Sequence, residues 1–370
     1  MLLPTTYALS IALLIFSMLC WGSWANNLKK SHWRFELYYI DFSLGAVLAA
    51  VVASFTVGSM GPDISVPDTF LLVGKRQILL AFAAGCIFNL ANMLLVAAIE
   101  LSGMSVAFPV GIGLALIVGV VWNYAMQQVG SVFYLFGGSL LVLIAVILSA
   151  VAYGMMETIR RKAATARARQ AEALAAAQLS PEDAASLAAA PKKKKVVEEE
   201  GPGIYRGIWL ALAAGILMGA FYPVMQMSTE GELGISNPFA VALIFSVGIL
   251  LSTFIYNLYF MNLPVKGLPI SFFAYFTGSI GQHSLGLLGG MIWMFGTCAS
   301  FAATAAQGDA KVGAAVGYAL GQGAIFVSLL WGLMVWKEFA GATGAISRLL
   351  MIMSILFLAG LALVAIAQPH

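Results

Sequence analysis

Apolar residues run along this chain in long uninterrupted blocks, separated by short polar breaks. The blocks last about twenty residues and lack the every-second-residue alternation of barrel strands, which predicts membrane-spanning helices. Ten such spans fall at roughly 5–26, 38–58, 77–99, 104–126, 132–155, 206–228, 238–260, 282–304, 312–336 and 347–367. Five precede a polar segment at 157–203 and five follow it. The expected organisation is a first five-helix unit at 1–156, a charged, alanine-rich linker at 157–203 and a second five-helix unit at 204–370.

The two units echo each other. GCIFNLANMLLVAAIELSG, Gly85 to Gly103, and GMIWMFGTCASFAATAAQG, Gly290 to Gly308, are third spans of their halves with glycines at matching positions. A glycine-rich span follows each. Five is an odd number, so the second unit enters the membrane the other way up. Such inverted repeats are typical of secondary transporters.

Composition agrees with a lipid-facing surface. Hydrophobic residues make up 61% of the 370 residues and charged residues 9%, against about 25% charged in soluble domains. The first run could be a secretory leader, but no basic residue precedes Lys29 and tryptophans flank the would-be cleavage site. It reads as a retained helix. Cys20, Cys86 and Cys298 all lie inside apolar runs and read as small buried residues. Of the lysines and arginines, sixteen follow odd-numbered spans and three follow even-numbered ones. That asymmetry puts the linker in the cytoplasm and both termini outside an inner membrane. Lys192–Lys195 followed by Glu198–Glu200 reads as solvated linker, with anionic lipid as the alternative partner. The excess of three positive charges carries no implication for nucleic acid.

Sites for metal, nucleotide and covalent chemistry are missing. There is no P-loop motif, hence no direct use of ATP, and no histidine–cysteine cluster for a metal. Three histidines, His32, His283 and His370, leave little from which to build a catalytic triad. These absences argue against an enzyme or a primary pump. The expected partners are the lipid bilayer and a small polar solute. No cofactor is implied beyond a coupling proton or other ion. A monomer is compatible with the sequence, which does not fix the oligomeric state.

Polar groups at membrane depth are the candidate site, because they are costly unless they face a partner or a wet cavity. Asn89 and Asn92 share a helical face in span 3; they could recognise a neutral polar solute or hold helices together. Trp21 could stack on a flat ring or a sugar face, whereas Trp24 reads as an interfacial anchor. Asn26 and Asn27 would cap the helix or face water. Asp41 lies about 10 Å below Arg34 at 1.5 Å per residue. It is a proton-coupling candidate or, alternatively, an interfacial carboxylate paired with a lysine or arginine. Glu36, shallower than Asp41, reads as solvated, and Glu100, at the end of span 3, as a loop charge. Trp293, Tyr318 and Gln322 are candidates from the second half. Gly313, Gly317 and Gly321 form a doubled small-residue motif suited to close helix packing. Pro109 is expected to break or kink span 4 beside a cavity.

The stretches MLCWGSWANNLKK, FELYYIDFSLG, IFNLANMLLVAAIELSGMSVAFPVGIGLAL and GYALGQG together resemble the ureide permease-like branch of the drug/metabolite transporter superfamily, which includes glucose- and rhamnose-type carriers. The resemblance covers nearly the whole chain except the linker. It implies an all-α integral membrane fold of ten transmembrane helices in two inverted five-helix repeats. It also implies a midplane cavity, alternating access and proton coupling. The plant members carry a P-loop-like sequence in the central segment, and this chain lacks it. The matching stretches contain Trp21, Asn89, Asn92, Pro109 and Gln322. The expected activity is secondary transport of a ureide, nucleobase or sugar, with export of drugs or metabolites as the alternative and a membrane enzyme or a non-transporting protein less favoured.

Overall fold

A computed structural model describes residues 1–61, 63–177, 202–265 and 267–367. Every regular element among them is helical. Ten helical segments are long and apolar enough to cross a membrane: Tyr7–Ser31, Phe35–Phe55, Lys75–Ser102, Val106–Met126, Val132–Gln170, Tyr205–Met227, Pro238–Asn262, Ile280–Ala305, Gly308–Met334 and Gly344–Ala365. They are spans 1 to 10, and each overlaps its expected counterpart. The chain is a multi-pass membrane protein.

Three spans depart in detail from expectation. Span 5 does not stop near residue 155; its helix continues to Ala177, because the alanine-rich, charged sequence is a good helix former that can leave the membrane without breaking. The rest of the linker, including Lys192–Lys195 and Glu198–Glu200, lies outside the described residues, as does Lys266. Span 4 belongs to a helix, Met104–Met126, that runs unbroken through Pro109, contrary to the expected break. Pro109 sits in the second turn, so it forfeits one backbone bond next to donors that are unpaired in any helix start. Span 9 is built of a 3-10 turn at Gly308–Ala310 and helices at Ala314–Gly321 and Ala324–Met334. Between the last two, the amides of Gln322 and Gly323 bond to Ala319 and Leu320, one residue tighter than α-helical.

Spans 3 and 4 are joined by Gly103 alone, at φ +77°, a conformation that costs glycine little. Elsewhere glycine permits backbone contact. A Cβ on Gly45 would strike the Leu287 carbonyl, one on Gly248 the Phe82 carbonyl, one on Gly85 the Phe245 carbonyl and one on Gly290 the Phe42 carbonyl. These contacts lock span 2 onto span 8 and span 3 onto span 7. Without a hydrophobic drive between lipid-facing helices, such close approach supplies the van der Waals attraction that holds them. Spans 3 and 6, spans 1 and 8, and spans 5 and 10 also pack along one another.

The bundle has two chemically different ends. At one, the N-terminus meets the 2–3 loop (Leu2 N–H to the Val57 carbonyl, 2.9 Å) and the 2–3 loop meets the 6–7 loop (Gly74 N–H to the Leu233 carbonyl, 3.0 Å). Tyr7 there donates to the Ala365 carbonyl, 2.8 Å. At the other, the 1–2 connection meets the 7–8 loop and the end of span 9, through Arg34 to the Leu268 carbonyl and Lys29 to Glu338.

Candidate functional site

A cavity of about 340 Å³ opens at the end that carries the N-terminus. Small-molecule sites start near this size. Spans 6, 7 and 8 wall it, with the 4–5 loop at its rim. Its polar surface is made of the amides of Gln127, Gln226 and Gln307 and the hydroxyls of Thr229, Ser236 and Thr304; Phe301 contributes an apolar wall. Among the described residues no acidic or basic side chain lines it. On the cavity floor, Thr304 Oγ1 lies 3.0 Å from the hydroxyl of Tyr222, which is buried behind it. Ser300, close by, is buried, and its hydroxyl also faces that of Tyr222.

Below this floor lies a continuous aromatic cluster. Trp293 stacks on Phe88 at 4.8 Å and on Trp21 at 6.3 Å. Phe42, Phe245, Phe221 and Tyr222 extend the cluster. Trp21 is pinned by its indole N–H, which donates to Thr297 Oγ1 at 3.1 Å. Trp24 tilts onto Phe42 at 4.8 Å, so it packs on span 2. Tyr318 is buried, and its hydroxyl lies 3.1 Å from the carbonyls of both Ala115 and Met218, tying span 9 to spans 4 and 6. Gln322 is half-buried at the tightened turn of span 9.

The two asparagines of span 3 part company. Asn89 is fully buried, and its amide N–H₂ faces the Ile249 carbonyl, Ser252 Oγ and Thr253 Oγ1, all within 3.1 Å. It fastens span 3 to span 7 and points away from the cavity. Asn92 is half-buried and donates to the Tyr39 hydroxyl at 2.9 Å, toward span 2. The glycines of span 9 meet different neighbours: a Cβ on Gly313 would press on Val129, on Gly317 against Thr304, and on Gly321 against Trp21.

Asp41 is buried at 3% exposure and is not paired with a lysine or arginine. Its Oδ1 accepts from the Tyr275 hydroxyl at 2.6 Å, and its Oδ2 lies 2.7 Å from His283 Nδ1. Local structure aims both partners. Ser279 and Gln282 form a capping box that starts span 8, setting His283 in its first turn. A 3-10 turn at Phe272–Thr277 presents Tyr275. Trp33 meets His283 edge-on at 4.9 Å. Burial first, and the Asp41 bond and charge second, raise the Tyr275 phenol above its ordinary value, so it stays a donor.

A second polar knot closes the same end. Glu338 accepts from Lys29 at 2.5 Å and from the Tyr153 hydroxyl at 3.3 Å, and Arg160 donates to its backbone carbonyl. Lys29 also lies over the Trp336 ring at 4.4 Å, and Trp336 donates to Asn26 at 2.6 Å. Asn26 also donates to the Ser23 carbonyl at the end of the first helix, 2.8 Å, so it caps that helix as expected and is held by Trp336 rather than facing water. Sequence reasoning missed Tyr275, Glu338, Gln226, Ser300 and Thr304, and saw His283 only as one of three histidines. A histidine and a tyrosine beside a capping box were the one local signal.

Comparison with known proteins matches the chain to the ureide permease family over residues 38–200 and 157–367. Ureide permease 1 of Arabidopsis thaliana is 23% identical over 397 residues, covering 98% of this chain and 97% of its own length. Ureide permease 4 of the same plant is 23% identical over 396 residues, with the same coverage. A solved structure described only as a crystal structure of a protein superposes with a TM-score of 0.56 at 13% identity, over 97% of this chain and 96% of that one; it shares the fold. With matches that together span nearly the whole chain, the protein belongs to the ureide permease family.

Proposed function

We propose that this protein is a proton-coupled secondary transporter that carries a small, neutral, polar solute by alternating access. The solute is of the ureide, nucleobase or sugar kind, and the drug/metabolite transporter superfamily is the wider group in which we place the protein. The observation that carries this reading is the contrast between the two ends. A cavity of about 340 Å³ is open at one, while Asp41–His283–Tyr275 and Lys29–Glu338 close the other. A carboxamide- and hydroxyl-lined cavity without charged side chains favours neutral solutes with N–H and C=O groups. The relatives named ureide permeases support the same class.

Inverted repeats are supported by equivalent packing. Phe42-Ser43-Leu44-Gly45 in span 2 and Phe245-Ser246-Val247-Gly248 in span 7 play matching parts: each Phe carbonyl meets a glycine of the opposite half, and each glycine meets a carbonyl there. Ser43 and Ser246 donate to the carbonyls three residues back, both at 2.8 Å. Phe88 and Trp293, which stand in the same relation as Gly85 and Gly290, stack on each other. Their contacts to Phe245 and Phe42 are both 5.8 Å, tilted 48° and 51°. The loop charges support both termini outside and the linker inside.

Asp41 is the proposed proton carrier and Asn92, Trp21, Trp293, Tyr318 and Gln322 the proposed solute-facing groups deeper along the path. Asn89 has its polar role in helix packing. The test is uptake of labelled allantoin, uracil, glucose and rhamnose by cells producing the protein, with and without an uncoupler. Accumulation of one solute that collapses with the uncoupler is the expected result. Accumulation unchanged by the uncoupler would remove proton coupling, and efflux from preloaded cells without uptake would make the protein an exporter.

A further inference from the structure

We infer that the turn between spans 7 and 8 is a lipid anchor: Phe273 and Phe276 seat in the interfacial zone of the phospholipid bilayer, and that seating holds Tyr275 on Asp41. The inference goes beyond transport and depends on neither the solute nor the coupling ion. It starts from the period of the turn. Phe272–Thr277 is a 3-10 helix, and in that geometry side chains three residues apart eclipse. The sequence FFAYFT therefore carries two aromatic stripes. Phe272 and Tyr275 form one. They stack on each other at 6.3 Å, and Tyr275 also stacks on Trp33 at 6.0 Å and donates to Asp41 at 2.6 Å. Phe273 and Phe276 form the other, and they are 75% and 67% exposed. Phe276 meets Phe272 and Tyr275 edge-on, at 5.8 Å and 5.3 Å.

Depth, composition and continuity identify what covers the outer stripe. Asp41 lies about 9 Å inside the first residue of span 2, at 1.5 Å per residue. Gly286 meets Asp41 and stands as far from Ile280, so spans 2 and 8 begin at one level. The Tyr275 hydroxyl reaches down to Asp41, and the Ile270 N–H folds back to the Met261 carbonyl at 3.0 Å. The turn therefore lies beside the helix ends, where a bilayer has its interface, rather than above them. From Leu263 to Gln282 the sequence holds one charged residue, Lys266, whereas the 6–7 loop at the other end carries Glu230 and Glu232. Ile255, Leu258 and Tyr259 are exposed on the last turns of span 7, and Leu263, Leu268 and Ile280 on either side of the turn. The lipid-facing side of span 7 thus continues into the turn. In water an apolar patch of this extent is an aggregation surface; at the membrane interface its aromatic rings are favoured. Asp41 and Trp33 hold the inner stripe, and lipid holds the outer one.

Fluorescence quenching tests the seating. Full-length protein with Cys20, Cys86 and Cys298 replaced by alanine carries Phe276→Cys, labelled with a nitrobenzoxadiazole probe, in phosphatidylcholine nanodiscs. Glu232→Cys, exposed in the 6–7 loop, is the water reference. A nitroxide near the headgroup end of a lipid chain should quench the probe at Phe276→Cys about threefold or more better than at Glu232→Cys, and iodide about threefold or more worse. Iodide quenching equal at the two sites overturns the anchor, and shielding from both quenchers overturns it in favour of a second copy of the chain. The hold on Tyr275 is read from Trp33, which stacks on it. In nanodiscs of fluorotryptophan-labelled protein, the fluorine resonance of Trp33 is identified by its loss in Trp33→Phe. Phe273→Ser should move it toward its position in Tyr275→Ala, and Phe273→Leu, still apolar, should leave it in place. Phe276→Ser and Phe276→Leu replace that pair if Phe273→Ser is poorly produced. A resonance that does not respond to the serine variant overturns the hold on Tyr275, and an equal shift in the leucine variant overturns lipid as its cause. Neither readout involves uptake, so failure of the anchor and failure of the transport reading are separate results.

Discussion

Removing His283 should cost more than neutralising the carboxylate it serves, and the two changes should not add. Asp41 is 3% exposed and holds two hydrogen bonds, at 2.6 Å and 2.7 Å. In His283→Phe the carboxylate keeps Tyr275 but loses its imidazole partner in a buried site. Breaking a buried pair from one side costs about 3–5 kcal/mol. The His283 side chain is 26% exposed, and solvent screening brings the cost to the bottom of that range or just below it, about 2–3 kcal/mol. In Asp41→Asn, the amide oxygen still accepts from Tyr275 and the N–H₂ donates to a neutral imidazole of the other tautomer, at a cost of about 1 kcal/mol. Once the charge is gone, His283→Phe strands nothing ionised. The double variant should therefore recover about 1.5–2.5 kcal/mol relative to the sum of the singles. The assay is unfolding of the full chain in bicelles by increasing dodecyl sulfate, followed by tryptophan fluorescence, on all four proteins at one pH. Additivity to within about 0.5 kcal/mol would refute the argument, because it would mean that the carboxylate is not held as a charge by the imidazole.

Three further outcomes follow from the same geometry. Asn89→Leu should lower unfolding stability by about 0.6–1.7 kcal/mol and leave uptake per folded molecule intact, whereas Asn92→Leu should cut uptake at least about tenfold with the yield of folded protein preserved, roughly the loss of one solute hydrogen bond; radiolabel uptake normalised to purified protein separates the two. Gly290→Val should abolish folded protein, because its side chain would strike the Phe42 carbonyl, while Gly137→Ala, with nothing within 4 Å of the added carbon, should be neutral or better by size-exclusion yield. In intact cells, an impermeant maleimide should label Glu232→Cys but not Lys30→Cys, both exposed positions at opposite ends; labelling of Lys30→Cys alone would reverse the orientation.

The spans were legible because hydropathy over about twenty residues is a one-dimensional property and lipid demands it. Ends and interruptions were less so. Pro109 looked like a break because its effect depends on its distance from the helix start, which the sequence leaves open by a few residues. Span 9 looked continuous because three spaced glycines do not announce where a helix will tighten. The candidate site was legible in part: Trp21, Trp293 and Asp41 do lie at junctions between the halves. What each one touches was not legible. Asn89 and Asn92 share a helix face, yet one reaches span 7 and the other span 2, because a face that is about 60° wide meets two neighbours in a packed bundle.

Asp41 shows why the remainder was hidden. Its depth was readable from the helical rise. Its partner lies 242 positions away, brought near by glycines on span 8 that let span 2 sit against it. Gly286 contacts Asp41 itself, and Gly290 contacts Phe42 one residue on. A sequence can show that a carboxylate is too deep to stand alone. It cannot show which of three histidines answers it until the helix crossing is known, and that crossing is set by side chains that are absent.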